Sequence, residues 1–542
     1  MEWLFWMIVK MAIVSAISYG IMVLSRKDPK DVTYEPDTFA FPEIKEGTKF
    51  SIIAGTCWQE APVIGWFGDI KIDSLGVRLS NSDGQYVYIN KYSYGALHIL
   101  AQGFCDGVIQ LKVGDQVIWP DSTNNKTLNA DAAASAVINL PELYGGIHER
   151  DANITGQGGI VGTVDFEYGP TDQTVNDYIT EQLGDYTSAN RGLTAAILRQ
   201  PYIGISATLY PWKYLVKRTA HLTSGAAQWY PTKATINTYS INPVHWIREI
   251  YTDTEWGLGN ATTIFDDVAL KAAADTLYTE GFGLCIKWEG EQTLEDHVKD
   301  ILRHINATIY EDHSTGLLVL KLIRDDWVLG DLEEFDKTDI ISIDDFTRGT
   351  IHKVPDVTYV KCWDMYNNLP VTVLNHDLAL ISSQSEMSIP NDVSYTGVVD
   401  SELGGKLAAR DQHQLSAFPA AMTIKCKRTM SHLNPGDVFK IVYEPLGIAS
   451  MIIRVVTPHY GTLSDGTVVL DCIEDMFGMK DAMYAPPSST IWDSTVDDPE
   501  YEDEHLVAEV AMSGADPTVC GSVYPEPAIV ALDGVDPTVT VT

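Results

Sequence analysis

Asn242-Pro243-Val244-His245-Trp246-Ile247-Arg248-Glu249-Ile250, then Asp253-Thr254-Glu255-Trp256-Gly257-Leu258-Gly259, then Phe265-Asp266-Asp267 open the stretch that decides the fold, residues 242–327. An alanine-rich helix follows, with Leu270, Ala273, Ala274, Leu277 and Tyr278 at helical spacing. Gly281 stands where a left-handed residue stops such a helix, since without a Cβ it takes positive φ at little steric cost. A second helix begins almost at once. Thr293 and Asp296 make a capping-box pattern ahead of one apolar stripe, Leu294, Val298, Ile301, Leu302 and Ile305. Ala307 to Tyr310 and Leu317 to Ile323 then read as two strands around Asp312-His313-Ser314-Thr315-Gly316, a loop rich in turn formers.

The ordered series Asn242-Pro243, Asp253, Trp256-Gly257-Leu258-Gly259, Ala273-Ala274-Asp275, Glu280-Gly281-Phe282-Gly283 and Leu320-Lys321-Leu322-Ile323-Arg324-Asp325-Asp326 resembles the tail hub proteins of long-tailed bacteriophages. These are the central tail-tip or baseplate components related to the N-terminal part of lambda-type host-specificity protein J and to gene transfer agent hubs. The resemblance runs from about Lys49 to about Tyr484 and rests on the length of the series, with no single catalytic signature in it.

Composition sets outer bounds. A chain of 542 residues exceeds what one hydrophobic core serves, and 45% hydrophobic with 20% charged residues is ordinary for folded domains. The formal net charge of −37, from 74 acids against 37 bases, is not ordinary. Such a field repels nucleic acid, so a phosphate-gripping or sequence-reading role is disfavoured. It would suit a channel through which DNA slides, although an acidic solvated exterior accounts for most of the acids. The seven cysteines, Cys57, Cys105, Cys285, Cys362, Cys426, Cys472 and Cys520, are scattered and odd in number, which argues for reduced, mostly buried thiols and against a disulfide scaffold or zinc site. Asn153-Ile154-Thr155 and Asn306-Ala307-Thr308 match glycosylation acceptors by chance, and Asn306 is placed to close the second helix.

Trp3 to Leu24 is apolar apart from Lys10 and a few small polar residues, with Arg26, Lys27 and Lys30 directly after it, and a helix of that length spans a bilayer. A signal peptide is disfavoured by Glu2 and by the lack of a small-x-small cleavage site. A membrane anchor is the commonest explanation of such a run; the resemblance favours a helix that packs within an assembly. Asp28 to Glu46, rich in Asp, Glu, Pro and Lys, reads as a linker or an extended arm. Phe50 to Thr56, Ala61 to Ile72, Leu97 to Gly103 and Asp106 to Leu111 are strands, the last leading to a Gly114-Asp115 hairpin turn. Ser122 to Gly146 reads as a helical or loop excursion. Gly158-Gly159-Ile160-Val161-Gly162-Thr163 lacks the Lys-Ser/Thr of a phosphate loop and starts a strand through Val164 to Tyr168. Tyr202 to Tyr210 and Trp212 to Arg218 are further strands, followed much later by Val357 to Cys362, Thr423 to Lys427, Val438 to Val442, Met451 to Val456 and Thr467 to Leu470, with a turn at Asn434-Pro435-Gly436-Asp437. Beyond Tyr484 lies a Pro-, Ser- and acid-rich linker, then Ser513 to Val519 echoed by Asp533 to Val539.

No catalytic constellation outweighs its structural alternative. Glu295, Asp296, His297, Asp300 and His304 gather on one helix, but Asp296 fits the cap, and seven residues of helical rise set the two histidines roughly 10 Å apart, too far to share an ion. A charged solvent face accounts for the rest. His148-Glu149-Arg150-Asp151 reads as a loop charge cluster, and His98, in an apolar strand, as a core residue. The expectation is therefore no catalytic, cofactor or metal residues.

The fold class expected is α+β and β-rich. The expected divisions are an apolar N-terminal helix (1–27), an arm (28–48), a first hub-type small β-barrel domain (49–150), an inserted β domain (151–240), a helix-helix-hairpin domain (241–330), a second barrel (331–484) and an acidic linker with a C-terminal β element (485–542). The resemblance implies a virion structural protein made in the bacterial host cytoplasm. It would be a homotrimer at the tail tip, meeting the tail tube or distal tail protein, the tape-measure protein and a tail fibre or receptor-binding protein, with DNA only in transit and host-membrane contact through Trp3 to Leu24. The rival is a membrane-anchored surface enzyme such as a glycan hydrolase.

Overall fold

The first strand-rich stretch forms two sheets, and strands such as Ile52–Gln59 and Gly107–Val113 are buried on both faces. In the computed structural model, which describes residues 49–476 apart from 75–89, 130–131, 146–147, 151–152, 156–157, 185–186, 205–209, 350–353, 385–388 and 463–465, one five-stranded sheet runs in the order Ile286–Trp288, Ile52–Gln59, Trp212–Arg218, Gly107–Val113, Gln116–Trp119. The other runs Val63–Ser74, Asn90–Gln102, Leu193–Gly204, Ile160–Glu167, Ser135–Leu140, with the short helix α1 (Asp177–Leu183) against it. A single core joins the two, with Ile53, Leu111 and Tyr214 from the first sheet and Tyr94, Val164 and Leu198 from the second. Strands on either side of residue 150 thus pair within common sheets: a strand with apolar residues on one face gains more from burying that face than from keeping to its sequence neighbours.

Ser135–Leu140 corrects the expectation of a helix or loop over 122–146. Ala136 and Ile138 are buried while Val137 between them is exposed, a period of two hidden in small polar residues. His148–Arg150 pairs with Asn153–Thr155 as a small hairpin, where a loop was expected. Tyr202 to Gly204 ends the long strand Leu193–Gly204. The glycine-rich segment before Ile160–Glu167 is a strand entry, as expected, and a Cβ on Gly159 would lie 2.2 Å from the Leu140 carbonyl.

Residues 242–327 form a helical block. Helix α2 (Pro243–Thr252) was not anticipated, although Asn242 as N-cap and Pro243 at the first position are its start signals. Helices α3 (Asp267–Glu280) and α4 (Leu294–Ile305) follow, closed by left-handed Gly281 (φ 71°) and Asn306 (φ 50°). Thr293 accepts the Asp296 N–H, but the Asp296 carboxylate bonds the Thr293 hydroxyl in place of its backbone N–H, so the box is half made. Tyr278 leaves the apolar stripe: it is exposed, with Lys233 Nζ 4.0 Å from its ring centre. Ala307–Glu311 and Leu318–Leu322 make the expected hairpin.

After it, a six-stranded sheet runs Glu334–Phe335, Val438–Tyr443, Ile448–His459, Thr467–Glu474, Ala420–Lys427, Ile340–Arg348 around its own core. Between its strands the chain makes a three-stranded sheet, Leu369–His376, Val357–Asp364, Pro390–Ser394, with helices α5 (Leu378–Ser383) and α6 (Ser401–Ser416). Val360, Tyr395 and Leu407 of this excursion bury into the same core as α2, α3 and α4.

Six cysteines in the described residues are free, five of them buried. No helix among the described residues is long and apolar enough to cross a membrane. Trp3 to Leu24, the arm to Glu46, Cys520 and the Ser513/Asp533 echo lie outside the described residues.

At Gly55 φ is +85° and a Cβ would lie 2.3 Å from the Leu284 carbonyl oxygen. Gly184 has φ +70° with open space around it. Gly55→Ala is therefore expected to cost more than the roughly 1–2 kcal/mol of a left-handed alanine alone, and Gly184→Ala no more than that. Urea midpoints of the two variants check it.

Candidate functional site

Glu249 projects from α2 among Val244, Trp246, Ile247 and Ile250, all fully buried, and is itself enclosed. A carboxylate loses several kcal/mol of hydration in such a place unless a partner restores it. Arg218, at the end of Trp212–Arg218, does so: its Nη1 donates to both Glu249 oxygens at 2.8 Å, and its Nε donates to the Ile53 carbonyl. The Thr223 N–H adds a third bond to Glu249, at 2.8 Å. The guanidinium lies 5.1 Å from the centre of the Trp246 ring, a cation–π contact. Thus the first sheet and the helical block are joined by a dry ion pair.

The contacts continue inward. Thr223 Oγ1 donates to Asp253 (3.0 Å) and accepts the Trp256 indole N–H (3.1 Å). Asp253 also accepts the backbone N–H groups of Glu255 and Trp256. Trp256 stacks on Trp246 at 5.1 Å, and Trp246 Nε1 donates to His297 Nε2 at 3.1 Å.

Two further joints tie the block to its other neighbours. Toward the six-stranded sheet, Lys321 donates to Asp437 (2.6 Å), Trp327 donates to Asp475 (2.7 Å), and Arg454 Nη2 bridges Asp475 (3.0 Å) and the Arg324 carbonyl (2.9 Å). Arg324 is itself gripped by both oxygens of Glu280. Toward the three-stranded sheet, Arg410 of α6 donates to the His304 carbonyl (2.8 Å) and to Tyr395 Oη (2.9 Å), which donates to Asp411.

His297 and His304 correct the reading of their helix as a charged solvent face. Glu295 and Asp296 are exposed, but both histidines are buried, so the apolar side of α4 carries them. They are not brought together. His297 faces Trp246, whereas His304 Nδ1 donates to the Asp300 carbonyl (2.6 Å) and its Nε2 accepts the Gly397 N–H (3.4 Å). Burial holds both imidazoles down to a pKa of about 4, hence neutral. His98 is a core residue bonded to Tyr214 Oη at 2.8 Å and likewise lowered to about 4 by burial. The side chains of His148 to Arg150 lie outside the described residues. Among the described residues no group of three or more His, Cys, Asp or Glu side chains is placed to hold a metal ion.

Sequence reading missed the ion pairs at these joints. The available signal was a charged residue inside an apolar run, Glu249 in Val244 to Ile250 and Arg454 in Met451 to Val456. Nothing in either run names the partner.

No protein-family model matches the chain, and no curated protein does. Among solved structures it is similar to a chain of the virion of a native gene transfer agent particle, at 12% identity and TM-score 0.48, over 88% of this chain and 98% of that one. It is also similar to a tail protein from Neisseria meningitidis MC58 (10% identity, TM-score 0.29, 68% and 96%). A third is the prophage tail protein gp18 from Listeria monocytogenes EGD-e (12% identity, TM-score 0.22, 68% and 88%).

Proposed function

We propose that the chain is a structural virion protein that acts as the hub closing a phage tail tube. In this reading the β units on either side of the helical block take the part of the hub's small barrels, and the block holds them in register. The supporting observation is what the residues of the ordered series do. Asn242 caps α2 and donates to the Ala274 carbonyl of α3 (2.9 Å). Asp253 and Trp256 lie in the first joint, and Glu280, Lys321 and Arg324 in the second. Gly283 lies so close to Ser240 that a Cβ would come within 2.2 Å of its Cβ. Asn242, Asp253, Trp256, Glu280, Lys321 and Arg324 of the series thus make internal connections, which is the use a ring that carries force has for them.

Three copies around the tube axis, contact with tube, tape-measure and receptor-binding components, and opening on receptor engagement belong to the same proposal. Its mechanism is mechanical: force applied at one β unit reaches the others through dry ion pairs and packed indoles, with no bond made or broken. Light scattering of the purified chain is expected to give three times the chain mass, and labelled antibody is expected to mark one end of tails in intact particles. A monomer extracted only in detergent and active on glycans would replace this reading with the surface enzyme.

A further inference from the structure

A cavity of about 560 Å³ lies where the strand Ile286–Trp288 borders Trp363 and the turn after it, outside the three joints. Trp288 and Trp363 line it, together with Glu60, Glu289, Glu291 and Lys287. Both indole N–H groups are already spent, Trp288 on the Gln292 carbonyl (3.2 Å) and Trp363 on Asn368 Oδ1 (2.9 Å). What these rings offer a ligand is therefore their π systems. Lys287 bonds Glu289 (2.6 Å) and Lys213 approaches Glu60 (3.7 Å), which leaves Glu291 without an ion-pair partner among the described residues. A volume in the range of ligand sites, indole faces and one uncompensated carboxylate select a single, flat, weakly hydrated cation.

We infer that this cavity takes the guanidinium of an arginine carried on an extended segment of a partner protein. Ile286–Trp288 is an end strand of its sheet, paired to Ile52 to Ala54 on one side and to no strand on the other among the described residues, with the Gly397 carbonyl taking the Cys285 N–H (2.8 Å) just ahead of it. An incoming segment can add to such an edge through its backbone while one side chain enters the neighbouring hollow. The inference rests on the cavity and the sheet edge beside it and stands or falls separately from the hub reading.

The test titrates the full chain with a blocked tripeptide whose central residue is arginine, with its glutamine counterpart and with a neutral disaccharide, following tryptophan fluorescence and heat. The arginine peptide is expected to bind at least about tenfold more tightly than the glutamine peptide, and more weakly as salt rises. Glu291→Gln, an exposed near-isosteric change that leaves folding intact, is expected to cost roughly tenfold in affinity, as is Trp363→Ala. Equal binding of the two peptides, no saturable change with arginine, binding of the disaccharide alone, or wild-type affinity in Glu291→Gln would each overturn it.

Discussion

Glu249→Ala is expected to lower the stability of the folded chain by roughly 3–5 kcal/mol, because it breaks a buried ion pair. The deletion leaves Arg218, fully buried, without either Glu249 bond and with the His221 carbonyl (3.3 Å) as the remaining Nη1 partner from this set. Arg218→Met should cost a similar amount by stranding Glu249, with the Thr223 N–H as its remaining partner from this set. The double variant Arg218→Met/Glu249→Leu is expected to recover a large part of the loss, because breaking a buried pair is costlier than replacing it with apolar groups of similar size. Urea midpoints of the four proteins, read by tryptophan fluorescence, decide it. Additive single-variant losses would show that the two residues do not act as a pair.

Acid should destabilise the chain well before its carboxylates titrate. His98, His245, His297 and His304 are buried and held at a pKa of about 4, against 6.5 in an open chain, in each case chiefly by loss of hydration. The folded pKa is the lower one, so the unfolded chain binds more protons between these values, and stability rises with pH across that window. It is complete above about pH 6.5 and falls as pH drops toward 4, each histidine contributing on the order of 3 kcal/mol to the swing. Glu167, whose carboxyl is pushed up by burial, opposes the trend near its lower end. His297→Gln keeps an acceptor for the Trp246 N–H but has no site to protonate. It is expected to give a shallower stability profile between pH 6.5 and 4, and a slope equal to the parent's would remove His297 from the account.

The three joints explain why so much of this molecule's polar chemistry faces inward. Glu249 with Arg218, Arg454 with the Arg324 carbonyl and Arg410 with the His304 carbonyl join residues 31, 130 and 106 positions apart in the chain. Each replaces lost hydration with bonds that only one arrangement supplies, so the joints contribute register as much as stability. That is the property the proposed mechanical role requires.

Local pattern determined much of this protein. Apolar and β-branched runs bounded by turn formers marked strands from Ile52–Gln59 through Thr467–Glu474, Thr293 and Gly281 bounded their helices, and Asn434-Pro435-Gly436-Asp437 turned the chain, with Gly436 at φ 85°. These features depend on neighbours within a few residues, and such interactions are written directly in the order of side chains. Tertiary structure alone decided that strands on both sides of residue 150 share sheets, that α4 turns two histidines inward, and that Arg218 meets Glu249. Those outcomes depend on which apolar faces bury together across long separations in the chain, and the apolar pattern of a strand or helix says that a face must be covered without saying by what.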